Sequence, residues 1–256
     1  MVDYVSLIVS IISLISAALA ASIASWGHIY SSKRARVADA RKIVDKYRNP
    51  LFIAALDLQC NLYHLAQNEI TPEPAQSMYT CFVVGQYLSW WHILRRQAKF
   101  LCSCTDEVNG LLIEKLYKIE EEFFDDNYGK PFILWKYQQI GIGEEMTAER
   151  DEDKEVFCKG YATFKKLWEA EEAEEAEEAE VKQAKGSFRP WFTTIKDGVE
   201  LLTPHSRNDS TALKHHLQRL QHLLLDLMAV LYIEQLDEKS GVKRFKRERR
   251  TAGGGV

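Results

Sequence analysis

Hydrophobic residues recur at helical spacing over most of this chain. In residues 47–67 they lie four, three, four and three positions apart, so they share one face of a helix. The side chain of Asn49 is suited to capping a helix, and Pro50 suits a first helical position, so the pattern predicts a helix that begins there. The residues of its buried face are Leu51, Ala55, Leu58, Leu62 and Leu65.

Later segments repeat this spacing. Residues 77–101 carry large apolar side chains on one side, and a further helix is predicted to begin near Asp106. In residues 208–236 a seam of leucines predicts packing within a bundle, with a short coiled coil as the less favoured alternative. The buried residues predicted for these last two helices are Leu112, Leu116, Ile119, Phe123, Leu213, Leu217, Leu220, Leu224, Leu227 and Leu231. Because no run of alternating strands appears, the fold is predicted to be all-α, with a bundle of about four to six helices.

The chain begins with a long uncharged stretch. No Asp, Glu, Lys or Arg occurs between Asp3 and Lys33, and about 20 apolar residues suffice to cross a bilayer as a helix. A cleaved secretory signal would carry basic residues ahead of a shorter apolar core. The stretch therefore predicts an uncleaved, single-pass transmembrane helix. The basic residues that follow it predict that the bulk of the chain is cytosolic, and they leave open which membrane is used.

One face of this predicted helix is built from small residues. Ser6, Ser10, Ser13 and Ala17 follow a spacing of four, three and four residues. Small residues let helices approach closely in lipid, so this face is a candidate for self-association or for pairing with a protein partner. The favoured alternative is a helix that spans alone, with its hydroxyls bonded to its own backbone.

These patterns divide the chain into five regions. Residues 144–180 contain 15 acidic and five basic residues and end in a Glu/Ala repeat without a wide apolar stripe, which predicts an exposed helix or a disordered insertion. The predicted regions are a transmembrane anchor (1–32), the first part of the bundle (33–143), the acidic low-complexity segment (144–187), the last part of the bundle (188–238) and a basic disordered tail (239–256).

Composition excludes few functions. The net charge of −4 gives no reason to expect a nucleic acid as partner. The five cysteines are scattered and odd in number, which indicates reduced thiols. Cys102 and Cys104 form a lone CxC pair, which more often means small buried side chains than a metal site.

No signature of catalysis or of a cofactor appears. The sequence lacks HExxH, a Walker A loop, GxSxG and a glycine-rich dinucleotide turn. His215 and His222 lie seven residues apart, without the spacing that brings two histidines onto one metal, and the pair Glu122/Asp126 has no matching Glu-x-x-His. We therefore expect no catalytic residue, no metal and no cofactor, and whether the protein is an enzyme stays open, with a non-enzymatic role favoured.

Polar residues embedded in apolar helical stretches are the remaining candidates for a site. Buried charges must pair, so an Arg–Asp network that links the first and last helices and fixes their register is the favoured interpretation. The alternative is a ligand pocket among Asp57, Arg95, Gln139 and Asp226. The full set of candidates is Arg48, Asp57, Gln59, Arg95, Arg96, Gln139, Arg219, Gln221 and Asp226.

Basic residues flank both ends of the predicted cytosolic part. The C-terminal segment 243–250 contains six basic residues and one acidic residue, which predicts attraction to anionic lipid rather than a nuclear signal. The residues predicted to face lipid are Lys33, Arg34, Arg36, Lys243, Arg244, Lys246, Arg247, Arg249 and Arg250.

Four segments resemble a known pattern. YRNPLFIAALDLQCNLYHL resembles YR-D/N-PL…AA-x-DLQ-S-R-x-YN, and QYLSWWHILRRQAKFL resembles QYLAW-x-EILRRE-x-x-FL; QQIGIGEEM and LQRLQHLLLDLMAVL resemble EQ-x-AIGE-x-M and LQ-x-ALVDLIDFL. These patterns belong to a family of uncharacterised, membrane-anchored helical proteins of bacteria, plants and fungi. The chain departs from them at His92, Gln97 and Gln138. The resemblance covers most of 47–231 and implies one anchor and one helical domain without an assigned activity.

Together these features predict a membrane-anchored, non-enzymatic helical protein that acts as an interaction or scaffolding module at the cytosolic face. The alternative is a small-ligand binder or enzyme that uses a polar pocket within the bundle. The expected partners are the lipid bilayer and a protein.

Overall fold

A computed structural model describes residues 4–67, 74–97, 107–128, 132–152, 154–177, 188–202 and 210–240, and it defines only part of the side chains of the first helix. Over these residues the fold is mostly helical, as the sequence predicts, with one small hairpin that it does not predict. Its elements are α1 (Tyr4–Gln67), α2 (Pro74–Gln97), α3 (Glu107–Phe123), α4 (Lys136–Glu145), β1 (Thr147–Glu149), β2 (Val156–Cys158), α5 (Tyr161–Glu177), α6 (Thr193–Leu201) and α7 (Ser210–Ser240), with short 3-10 helices at Asp126–Tyr128 and Arg189–Phe192.

The C-terminal part of α1 belongs to the core of the bundle. It packs against α2 and α7; α3 also packs on α7, while α4 and α6 pack on α2. The leucine seam of α7 and the predicted faces of α1 and α3 are all buried in this core. The helical periodicity therefore identified the core correctly, and the α7 seam is used within the bundle.

Helix α1 runs without interruption through Pro50. The sequence predicted a helix start at Asn49, and that prediction was wrong. Tyr47 and Arg48, which precede the expected cap, are buried, and the ring of Tyr47 lies 6.2 Å from that of Trp90 on α2. Packing of this turn against the bundle therefore outweighs the hydrogen bond that proline removes.

The length of α1 extends it far beyond the bundle. Its 64 residues correspond to about 96 Å at the rise of an α-helix. Within the part of the chain that the structure describes, no helix was found to be both long and apolar enough to cross a membrane. Most side chains of the predicted anchor, 1–32, lie outside that description, so the anchor stays a prediction.

The acidic segment contains structure that the sequence did not predict. Strands β1 and β2 pair antiparallel, with Thr147 opposite Cys158, and Thr147 Oγ1 lies 3.0 Å from Ser89 Oγ on α2. Helix α5 then buries Phe164 and Trp168 against Phe192. Residues 147–168 therefore contribute to the core instead of forming only an exposed insertion. The end of the Glu/Ala repeat, from 178, lies outside the described residues.

We expect Trp168→Ala to lower the free energy of unfolding by about 3–5 kcal/mol, because it removes a large buried ring from an aromatic cluster. Urea unfolding measures this change. Glu169→Ala on the exposed side of the same helix is the control, with an expected change within about 0.5 kcal/mol. Equal, small effects of both substitutions would contradict the packing of α5 on the core.

Candidate functional site

The C-terminal half of α3 carries two buried glutamates. Glu120 and Glu122 are 4% and 5% exposed. Side chains two residues apart point to different sides of a helix, so the two carboxylates meet different neighbours. Each one organises a separate polar site.

Glu120 lies between α2 and α4. Its Oε1 is 2.8 Å from Lys136 Nζ, and its Oε2 accepts a hydrogen bond of 3.2 Å from Trp91 Nε1 and lies 3.7 Å from Arg95 Nη1. Two cations and an indole N–H thus compensate one buried carboxylate, which is the condition for burying a charge without a large penalty.

Gln139 reinforces this junction from α4. Its Nε2 donates to the backbone carbonyl of Glu120 at 3.0 Å and to that of Leu134 at 2.9 Å. Gln139 therefore joins α3 to α4, which explains a buried amide in an otherwise apolar turn.

A small cavity adjoins the Glu120 carboxylate. Its volume is about 10 Å³, which suits a single water molecule and is far below the 300–1,000 Å³ or so of common ligand pockets. The residues that line it are Leu88, Trp91, His92, Arg95, Glu120, Lys136, Gln139 and Ile140.

Two buried polar side chains near this cavity accept or donate no hydrogen bond within the described residues. They are His92, through both ring nitrogens, and Tyr87, through its hydroxyl. Burial lowers the pKa of His92, Arg95 and Arg96 lower it further, and Glu144 acts in the opposite direction. Burial and the nearby Glu120 raise the pKa of Tyr87. Both side chains are therefore held neutral at physiological pH.

Glu122 faces the last helix. Its Oε2 lies 3.0 Å from Arg219 Nε, and its backbone carbonyl accepts a 2.8 Å hydrogen bond from His216 Nε2. Burial raises the pKa of the Glu122 carboxyl despite the opposing effect of Arg219, and burial lowers the pKa of His216.

An open cleft lies beside Glu122, between the end of α3 and α7. Its volume is about 700 Å³, the size of a ligand or peptide site. Its wall combines acidic residues with exposed aromatic rings. The residues that line this α3–α7 cleft are Lys118, Glu121, Glu122, Phe124, Asp125, Asp126, Asn127, Trp135, Arg219 and Leu223.

The structure brings only part of the predicted polar set together. Arg95 and Gln139 meet at Glu120, whereas Arg219 meets Glu122. Arg48 pairs with Asp45 of its own helix at 3.0 Å, and Asp226 pairs with Lys115 at 2.6 Å. Among these pairs, those of Arg95, Gln139, Arg219 and Asp226 are with residues of α3, whereas that of Arg48 lies within α1.

The other predicted candidates lie away from these two sites. Burial raises the pKa of the half-buried Asp57. Gln59 is half-buried and accepts a weak bond from the Cys60 thiol at 3.5 Å, Arg96 is exposed, and Gln221 is half-buried. Asp57 and Asp226 do not line the cavity that Arg95 and Gln139 share, so among the described residues this cavity brings together only two of the four.

Sequence reasoning missed Glu120 and Lys136. Glu120 belongs to the run EEEF, which by composition resembles a solvated surface, and its partners are on other helices. The residues predicted to face lipid, and the pair Cys102/Cys104, have side chains outside the described part of the chain. Within that part, no three His, Cys, Asp or Glu side chains are grouped to hold a metal ion.

No family model, curated protein or solved structure matches this chain. The resemblance to membrane-anchored helical proteins therefore stays a prediction.

The pairing of Glu120 predicts a defined mutational rescue. Arg95→Met with Lys136→Met would leave the buried carboxylate without a cation, and we expect a loss of about 3 kcal/mol in the free energy of unfolding. Adding Glu120→Gln should restore most of this loss, because the neutral amide needs no counter-charge. Chemical denaturation of the three proteins is the measurement, and no recovery in the triple variant would contradict the assignment.

The two buried histidines predict a dependence of stability on pH. Their pKa values are lowered below the usual 6.5, so their contribution is present above that value and is lost as the pH falls through their folded pKa. His92→Leu, which replaces an imidazole without hydrogen-bond partners, should reduce the loss of stability between about pH 7.5 and about pH 5.5. The exposed His222→Gln should leave it unchanged. An unaltered loss in His92→Leu would refute this account.

Proposed function

We propose that this chain is a membrane-anchored, non-enzymatic interaction module. Its N-terminal apolar segment is held in a bilayer as a single transmembrane helix, and its helical bundle is presented on the cytosolic side to a protein partner. The Ser/Ala face of the segment is the proposed contact for pairing within the membrane.

The observation that carries this proposal is the continuity of α1. The same helix contains the uncharged segment and residues that are buried in the core of the bundle. Between residues 13 and 31, every side chain that the structure describes is exposed, including Leu14, Trp26 and Tyr30. Apolar surface that the protein's own core leaves uncovered is typical of a membrane or protein contact.

The orientation follows from charge. Lys33, Arg34 and Arg36 come directly after the apolar segment, and such clusters stay on the cytosolic side. Tyr47 is the first side chain described as buried in the bundle. About 14 helical residues separate it from the apolar segment, so the bundle would stand about 20 Å from the bilayer surface.

The alternative, a small-ligand binder or an enzyme that uses the polar cavity of the bundle, has less support. The cavity beside Glu120 holds about one water molecule. Its carboxylate is already engaged by Lys136, by Arg95 and by the indole N–H of Trp91. Interaction through the bundle surface is therefore the better-supported role.

Two charges in the middle of the apolar segment should release the protein from membranes. Leu14→Arg with Ile15→Arg adds about 2.5–3.5 kcal/mol per residue to the cost of insertion. We expect the doubly substituted chain to be extracted by alkaline carbonate, whereas the native chain stays in the membrane pellet. Leu14→Ile with Ile15→Leu is the matched control. Extraction of the native chain under the same conditions would disprove the anchor.

A further inference from the structure

The α3–α7 cleft has the chemistry of a site for cationic peptide side chains. Its acidic residues are Glu121, Glu122, Asp125 and Asp126, against two basic ones, Lys118 and Arg219. The cleft also lies at the C-terminal end of α3, where the helix dipole adds partial negative charge. Both contributions favour a positively charged occupant.

A buried oxygen of Glu122, a residue that lines the cleft, lacks a hydrogen-bond partner among the described residues. Glu122 is 5% exposed. Its Oε2 is engaged by Arg219, but its Oε1 accepts no hydrogen bond within the described residues. A buried acceptor without a donor is costly. An ammonium or guanidinium group that enters the cleft would supply that donor.

Exposed aromatic rings at the same cleft favour a cationic partner that also carries an apolar side chain. Trp135 is 51% and Phe124 36% exposed, and both line the cleft beside Leu223. Exposed rings next to carboxylates suit cations that come with an apolar side chain, because the rings attract the cation and pack against the apolar group.

The chain itself contains a segment of this chemistry. Residues 243–250 read KRFKRERR, with six basic residues, one acidic residue and Phe245 among them. We propose that the α3–α7 cleft binds this basic segment from a second copy of the chain. A second copy of the chain would then be the partner of the proposed interaction module. Only the membrane setting of this contact rests on the proposed function.

Chain length keeps Phe245 away from the cleft of its own molecule. From Leu223 in the cleft to Ser240, the end of α7, the helix spans about 26 Å. Five extended residues beyond Ser240 cover at most about 18 Å. Phe245 therefore falls short of Leu223 in its own molecule by about 8 Å, so its contact with a cleft requires a neighbouring molecule; Arg249 and Arg250, nine and ten residues beyond Ser240, could extend about 32–36 Å and are not limited in this way.

Photo-crosslinking in the full-length chain tests the proposal. Phe245 is replaced by benzoylphenylalanine, and the protein is irradiated in neutral detergent micelles, so that loss of membrane anchoring would not alter the result. We expect a covalent dimer whose crosslink maps to residues 118–135 or 219–223. A dimer crosslinked elsewhere, or no covalent dimer, would overturn the proposal.

Variants with equal changes in net charge distinguish binding at the cleft from a general effect of the protein's negative charge. The triple variant Glu121→Gln, Asp125→Asn and Asp126→Asn removes three negative charges from the cleft. It should lower the dimer yield at least about fivefold. Neutralising Glu174, Glu175 and Glu177 to Gln in the repeat changes the net charge equally and should leave the yield unchanged. Equal yields in the two sets would count against the cleft.

The basic segment provides a variant outside the folded bundle. Lys246→Glu with Arg247→Glu should lower the dimer yield as strongly as the cleft variants, and an unchanged yield would again overturn the proposal.

Anionic vesicles test whether the basic segment binds lipid instead of the cleft. If anionic vesicles abolish the dimer and neutral vesicles do not, the basic segment prefers lipid and the proposal fails. If the dimer persists with anionic vesicles, the proposal is supported.

Discussion

The two buried glutamates of α3 impose a constraint that the rest of the bundle must meet. A carboxylate in the interior costs several kcal/mol unless a cation lies close by, and the negative end of a helix dipole adds to that cost. The compensating groups come from α2, α4 and α7, through Arg95, Lys136 and Arg219. The position of each of these helices relative to α3 is therefore tied to a charge pair as well as to apolar packing.

The same arrangement divides the surface of the bundle into two chemical environments. On the Glu120 side, two cations and an indole N–H engage the carboxylate and the remaining space is water-sized, which stabilises the fold. On the Glu122 side, acidic residues outnumber basic ones in a cleft of about 700 Å³, which leaves attraction available for a partner. In the proposed interaction module, the acidic end of α3 would both hold neighbouring helices together and offer the binding surface.

Particular residues mark how far the sequence could predict this structure. The leucines of α7 and the apolar faces of α1 and α3 were identified correctly, because helical periodicity is a local property of the chain. The hairpin was missed because its strands have three residues each, too few for a pattern of alternation. Phe164 and Trp168 were missed as core residues because the acidic residues around them dominate the composition, and Asn49 was misjudged because tertiary packing of Tyr47 extends α1 through Pro50.

The sequence by itself determined the predominantly helical fold and the core faces of α1, α3 and α7, because the period of 3.6 residues selects one apolar face per helix. It also indicated an uncharged segment long enough for a membrane. Only the tertiary structure decided which charges meet: Arg95 and Gln139 reach Glu120, Arg219 reaches Glu122, and Asp57 and Asp226 lie elsewhere. The physical reason is that an ion pair depends on which helices become neighbours and in which register, and neither is encoded in the spacing along one helix.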